Sequence, residues 1–113
     1  MNSVTVIGRL TNDPEQRYTS QGTAITKFNL AINEKYKDKE TTVFVGVVLW
    51  GKTAEIAAEY LAKGNQVGLA GRLSFSSWET DKGEKRSKLE VTAERITFIG
   101  SGKSKNDSTD VPF

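Results

Sequence analysis

Two tryptophans, Trp50 and Trp78, stand in a chain that has no cysteine and no histidine. Trp78 closes the run Arg72-Leu73-Ser74-Phe75-Ser76-Ser77-Trp78, so on an extended strand it shares a face with Ser76, Ser74 and Arg72. A large ring on a polar face does not read as packing. Trp50 shares a parity with Phe44 in the stretch Thr41–Lys52, and Tyr36 sits between Lys35 and Lys37. Rings beside cations offer a π surface to planar groups and positive charge to anions, and single-stranded nucleic acid presents both. Arg9, Lys35, Lys52, Arg72, Lys85, Arg86 and Lys88 are the cations expected to meet phosphate. The plainer alternatives have weight. A tryptophan in a small domain is more often core than platform, and loop lysines are more often simply solvated. Trp78 escapes the first alternative best, because its face neighbours are polar.

Composition narrows the chemistry further. Lacking histidine and cysteine, the chain cannot build Ser-His or Cys-His nucleophiles or most zinc sites. No carboxylate spacing suggests catalysis, so neither an enzyme, a metal nor a cofactor is expected. Sixteen basic and 14 acidic residues leave a net charge of +2, a weak pointer to a polyanion. A length of 113 residues suits one domain with one core. The start Met-Asn-Ser-Val-Thr-Val does not read as a signal peptide. No apolar run approaches a membrane span. A soluble cytoplasmic protein is expected.

These side chains need strands to hold them. Ser3–Leu10 is the first, and Thr11-Asn12-Asp13-Pro14 turns away from it. Thr23–Lys35 alternates cleanly, with Phe28, Leu30 and Ile32 inward and Asn29, Ala31, Asn33 and Lys35 outward. Residues 36–40 form a charged loop. In Thr41–Lys52 both parities are apolar: Val43, Val45, Val47 and Leu49 on one, Phe44, Gly46, Val48 and Trp50 on the other. One side must pack protein, and the other must meet something else. Ala54, Ala57, Ala58 and Leu61 then recur at helical spacing, and Gly64 reads as the stop. Gln66–Glu79 returns to strand, with Leu69, Gly71, Leu73 and Phe75 on the core parity. Thr80-Asp81-Lys82-Gly83 is a hairpin turn. The last strand, about Glu84–Ile99, changes parity between Leu89, Val91, Ala93 and Ile96, Phe98. That predicts a bulge near Glu94 or Arg95. Three strands, a short helix and two strands is the order of a five-stranded Greek-key barrel, the oligonucleotide/oligosaccharide-binding (OB) fold, over residues 1–100. Residues 101–113 are polar until Val111-Pro112-Phe113 and are expected to be a disordered tail. On these residues alone an RNA-binding barrel and a protein-binding adaptor stay open beside a single-strand DNA binder.

The ordered set of local motifs resembles the bacterial-type single-stranded DNA-binding proteins. It comprises Val6-Ile7-Gly8-Arg9-Leu10, Asp13-Pro14-Glu15 with Arg17-Tyr18, Phe28-Asn29-Leu30-Ala31 and Val47-Val48-Leu49-Trp50-Gly51-Lys52. Glu59-Tyr60-Leu61-Ala62-Lys63-Gly64, Gly71-Arg72-Leu73, Trp78 and the terminal Pro112-Phe113 complete it. The resemblance implies a homotetramer that wraps and protects single-stranded DNA during replication, recombination and repair. It implies stacking on Tyr36, Phe44, Trp50 and Trp78. It also implies a docking tip at Asp110, Val111, Pro112 and Phe113 that recruits replication and repair proteins. The setting would be the bacterial nucleoid, or a phage-infected or plasmid-bearing cell. Three departures stand out: Val45 where the family commonly has histidine, uncharged Ser74–Ser77 before Trp78, and a short, weakly acidic tail.

Overall fold

The computed structural model describes residues 1–100. Its elements are β1 (Val4–Leu10), β2 (Glu15–Tyr18), β3 (Ala24–Tyr36), β4 (Lys39–Trp50), α1 (Gly51–Tyr60), β5 (Gln66–Glu79) and β6 (Lys85–Gly100). β1 pairs with β5, β5 with β6, β6 with β4 and β4 with β3. β3 then returns to β1 through Arg9↔Ala31 and Leu10↔Leu30. The sheet therefore closes on itself as a five-stranded OB barrel. The β4–β6 pairing is parallel, at Gly46–Val48 against Glu90–Thr92, and the other pairings are antiparallel. This one parallel step is where a segment 44 residues downstream in sequence is laid beside β4.

The core is what the alternation predicts. Phe28 and Leu30 of β3, Val47 and Leu49 of β4, and Val67 and Leu69 of β5 are buried together. Ile96 and Phe98 pack against them from β6. The predicted bulge is present: Ala93 pairs with Gly71 and Arg95 with Ala70, which leaves Glu94 as the extra residue. One residue of slip restores the inward parity for Ile96 and Phe98 after Ala93. At Gly71 an added methyl would run into the Thr92 carbonyl oxygen and lie 2.8 Å from Ala93 Cα, so only glycine lets the two backbones meet there. The helix plugs one end of the barrel with Ala54 and Ala57, and Leu61 just after it joins them in the core. Buried Thr26 donates from Oγ1 to the Ala54 carbonyl at 2.6 Å and ties β3 to the plug.

Four local expectations are corrected. The helix ends at Tyr60, not at Gly64, because Leu61 must leave helical geometry to reach the core; its extended N–H still bonds the Ala57 carbonyl at 3.0 Å. Residues 36–40 form no loop beyond a two-residue turn, since Tyr36 pairs with Lys39. The chain after Pro14 does not stay irregular. It becomes β2 and takes the edge of β3 that β1 leaves free, with Glu15↔Lys27 and Tyr18↔Ala24. All four β2 side chains are exposed, so no apolar alternation announces the strand. Finally, Phe75, assigned to packing, is 65% exposed, and Leu73 and Leu89 on the same face are exposed with it. β1 flanks β5 only as far as Gly71, and β6 meets β4 only at Glu90–Thr92. Past those points β5 and β6 continue as a two-stranded ribbon, and among the described residues no other strand pairs with it.

Among the described residues no helix is long and apolar enough to cross a membrane.

Candidate nucleic-acid interface

Residues opposite one another in a sheet point to the same side, and alternate residues share that side. The registers therefore assemble an outer face from residues far apart in sequence. One row runs from Arg17 through Ile25 to Trp50. The next runs Glu15, Lys27, Val48, Thr92, Arg72. A third runs Asn29, Gly46, Glu90, Ser74. Ala31 and Phe44 continue the face on β3–β4, and Ser76 with Lys88 and Trp78 with Arg86 continue it on the ribbon. Phe44 is 69% exposed, Trp50 50% and Trp78 47%. Three aromatic rings are thus open to solvent on one side of one continuous sheet. The doubly apolar strand is resolved in the same way. Val47 and Leu49 fill the core with Val45 against them, while Phe44 and Trp50 face outward.

The cations distribute unevenly. Lys35 lies on this outer face opposite Glu40. Arg72 and Arg86 lie on it too, Arg86 with an Nη2 to Glu84 Oε1 contact of 2.7 Å. Lys52 is exposed in the first turn of α1, two residues beyond Trp50. Arg9 is opposite Ala31 at the barrel seam, and its guanidinium donates to the Gly64 carbonyl at 3.0 Å. Lys85 is different. It pairs with Glu79, one residue out of phase with Trp78, and belongs to the side of the ribbon that carries Phe75. Tyr36 is likewise out of phase with Phe44 and Trp50. It is 72% exposed at the tip of the β3–β4 hairpin, with Lys37 Nζ 5.4 Å from its ring centre. The structure thus gathers Phe44, Trp50, Trp78, Lys35, Arg72 and Arg86 on one surface and sets Tyr36 and Lys85 on the other parity. The tip Asp110–Phe113 lies outside the described residues.

Two cations on this face were not singled out from sequence. Lys27 shares the outward parity of Asn29 and Lys35, so alternation alone reaches it. Arg17 sits on β2, which has no pattern to read. With Glu15 and Ile25 they line an open depression of about 300 Å³ beside Trp50. Glu90, on the middle row, was missed because a lone glutamate in a strand carries no signal; its Oε2 is 3.0 Å from Lys88 Nζ. Among the described residues no group of acidic side chains gathers to hold a metal ion.

Residues 1–99 match the model of the "Single-strand binding protein family". The chain is 40% identical over 111 residues to the Single-stranded DNA-binding protein 3 of Clostridium acetobutylicum, covering 96% of this chain and 77% of that one. It is 42% identical over 105 residues to the Single-stranded DNA-binding protein of Treponema pallidum, covering 89% of this chain and 59% of that one. A third relative, the Single-stranded DNA-binding protein 2 of Clostridium acetobutylicum, is 35% identical over 133 residues and is matched over the full length of both chains. A family match that spans the whole barrel, together with the barrel's own topology, leads to one conclusion: the chain belongs to the single-strand binding protein family.

Proposed function

We propose that this protein coats and protects single-stranded DNA without strong sequence preference, by stacking bases on exposed rings and neutralising phosphates with the cations between them. The observation that carries this reading is the single outer face on which Phe44, Trp50 and Trp78 stand open among Lys27, Lys35, Arg72 and Arg86. Every base has a π face, so stacking tolerates any sequence, and each stacked ring contributes roughly 1–3 kcal/mol. Tyr36 extends the platform from the hairpin tip, and Arg9, Lys52 and Lys85 take phosphates at its margins. Chemistry on the strand is no part of the mechanism.

Replication, recombination and repair are the setting. The C-terminal Asp110-Val111-Pro112-Phe113 serves as the docking tip for partner proteins in those processes. The assembled form is a homotetramer. Ile7 and Ile99 support assembly: both are exposed on the barrel wall and flank Gly68, where a methyl would lie 3.6 Å from each.

The test is tryptophan fluorescence during titration with oligo-dT. Quenching is expected at low salt, with affinity falling as salt rises because bound phosphates release counterions. No quench at low salt would sink the reading. A matched RNA oligomer as competitor separates a DNA binder from an RNA-binding barrel.

A further inference from the structure

We propose that the face contains a base-reading notch at Gly46, in which the Glu90 carboxylate accepts a hydrogen bond from an exocyclic amino group and so favours cytosine over thymine at that step. This rests on the single-strand reading above. Phe44 and Trp50 lie six residues apart on one strand, a separation of about 20 Å. One stacked base does not bridge that distance, so the bases between the two rings pass over Gly46 and Val48. Gly46 offers them no side chain. A methyl there would lie 3.5 Å from Glu90 Cγ and Oε2 and 3.6 Å from Asn29 Oδ1, so side-chain oxygens overhang the gap from both neighbouring strands. The register agrees, with Asn29, Gly46 and Glu90 in one row.

Glu90 is held in place. Its side chain is only 13% exposed, and Lys88 Nζ sits 3.0 Å from Oε2. Among the described residues no other side chain is bonded to the carboxylate. A carboxylate accepts and cannot donate, whereas Asn29 can present either end of its amide. Cytosine offers an N4 amino donor where thymine offers the O4 acceptor. Thymine over Gly46 therefore sets oxygen against oxygen, and cytosine makes a charge-assisted hydrogen bond. The same charge repels phosphate, which keeps the backbone out toward Lys27, Lys35 and Arg72 and turns base edges inward.

The experiment is a pair of quench titrations of the full chain, with dC and dT homo-oligomers of equal length, on wild type and Glu90→Gln. The variant keeps the shape and adds a donor. The ratio of dC to dT affinity is expected to fall about three- to tenfold. Glu90→Gln also frees Lys88, which should tighten both oligomers equally and cancel in the ratio. Lys88→Gln, which leaves the carboxylate in place, should keep the wild-type ratio. Gly46→Ala, whose methyl fits at ordinary contact distance and caps the notch, should lower the ratio as well. If Glu90→Gln moves dC and dT by the same factor, Glu90 acts only as a repelling charge and the notch is overturned. A wild type that quenches with neither oligomer overturns instead the single-strand reading beneath it, so the two failures are told apart.

Discussion

β5 and β6 pair along their whole length, yet the two halves of that ribbon behave oppositely. In the barrel half, Val67 and Leu69 of β5 are buried and Ile96 and Phe98 of β6 pack against the core. In the projecting half, Leu73, Phe75 and Leu89 have the same inward parity and are exposed. The side-chain chemistry is alike in both. What differs is the neighbour: β1 flanks β5 through the first half, β4 touches β6 only at Glu90–Thr92 just past the junction, and among the described residues no strand flanks the ribbon beyond that. Alternation thus reports which way a side chain points and not whether anything covers it. Trp78 does not depend on this difference: it has the outward parity of Arg72 and Ser74, and is 47% exposed, much as Trp50 is on the barrel wall at 50%.

The comparison is broken or sharpened by four substitutions. Leu69→Ala, in the covered half, should destabilise the fold by roughly 2–5 kcal/mol in urea unfolding, through lost burial and the cavity left behind. A loss below 1 kcal/mol would mean that the core there is not closed. Gly71→Ala, at the junction of the halves, should cost about 1–3 kcal/mol, since its methyl forces the Thr92–Ala93 backbone away. An unchanged midpoint would show that the junction gives easily. Trp78→Ala, in the open half, should weaken oligo-dT binding by about 1–3 kcal/mol and leave the urea midpoint in place. Unfolding of that variant would mean the ring is structural. Phe75→Ala, on the back of the same half, should change stability by no more than about 0.5 kcal/mol. A larger loss in the assembled protein, read by unfolding at two concentrations, would mean that another subunit covers that side.

Much of the fold is legible along the chain. Phe28, Leu30 and Ile32 alternate with Asn29, Ala31 and Asn33, and this is enough to orient β3. The mismatch between Ala93 and Ile96 is enough to locate the bulge at Glu94. The stacking candidates Trp50 and Trp78 are legible too, one from a strand apolar on both sides and one from its polar neighbours. Other parts leave no trace. β2 is hydrogen-bonded backbone with exposed side chains, so nothing in Glu-Gln-Arg-Tyr marks it. The end of α1 depends on Leu61 reaching a core built by other elements. Tyr36 and Lys85 read as site residues by type, but the pairings Tyr36↔Lys39 and Lys85↔Glu79 decide their side, and the phase of a hairpin is fixed by its turn.

The sequence by itself determined the order of β1, β3, β4, α1, β5 and β6 and the parity of the side chains along each, because these depend on backbone alternation and on neighbours a few residues away. Only the tertiary structure decided that Phe44, Trp50 and Trp78 share one surface, that Lys27 and Arg17 join it, and that Glu90 leans over Gly46. Lys27 and Arg17 join through the pairings of β3 with β4 and β2, and the other two depend on β4 meeting β6 in parallel, at partners 44 residues apart in sequence. That pairing is fixed by closing the barrel around a common core, and no local stretch contains it.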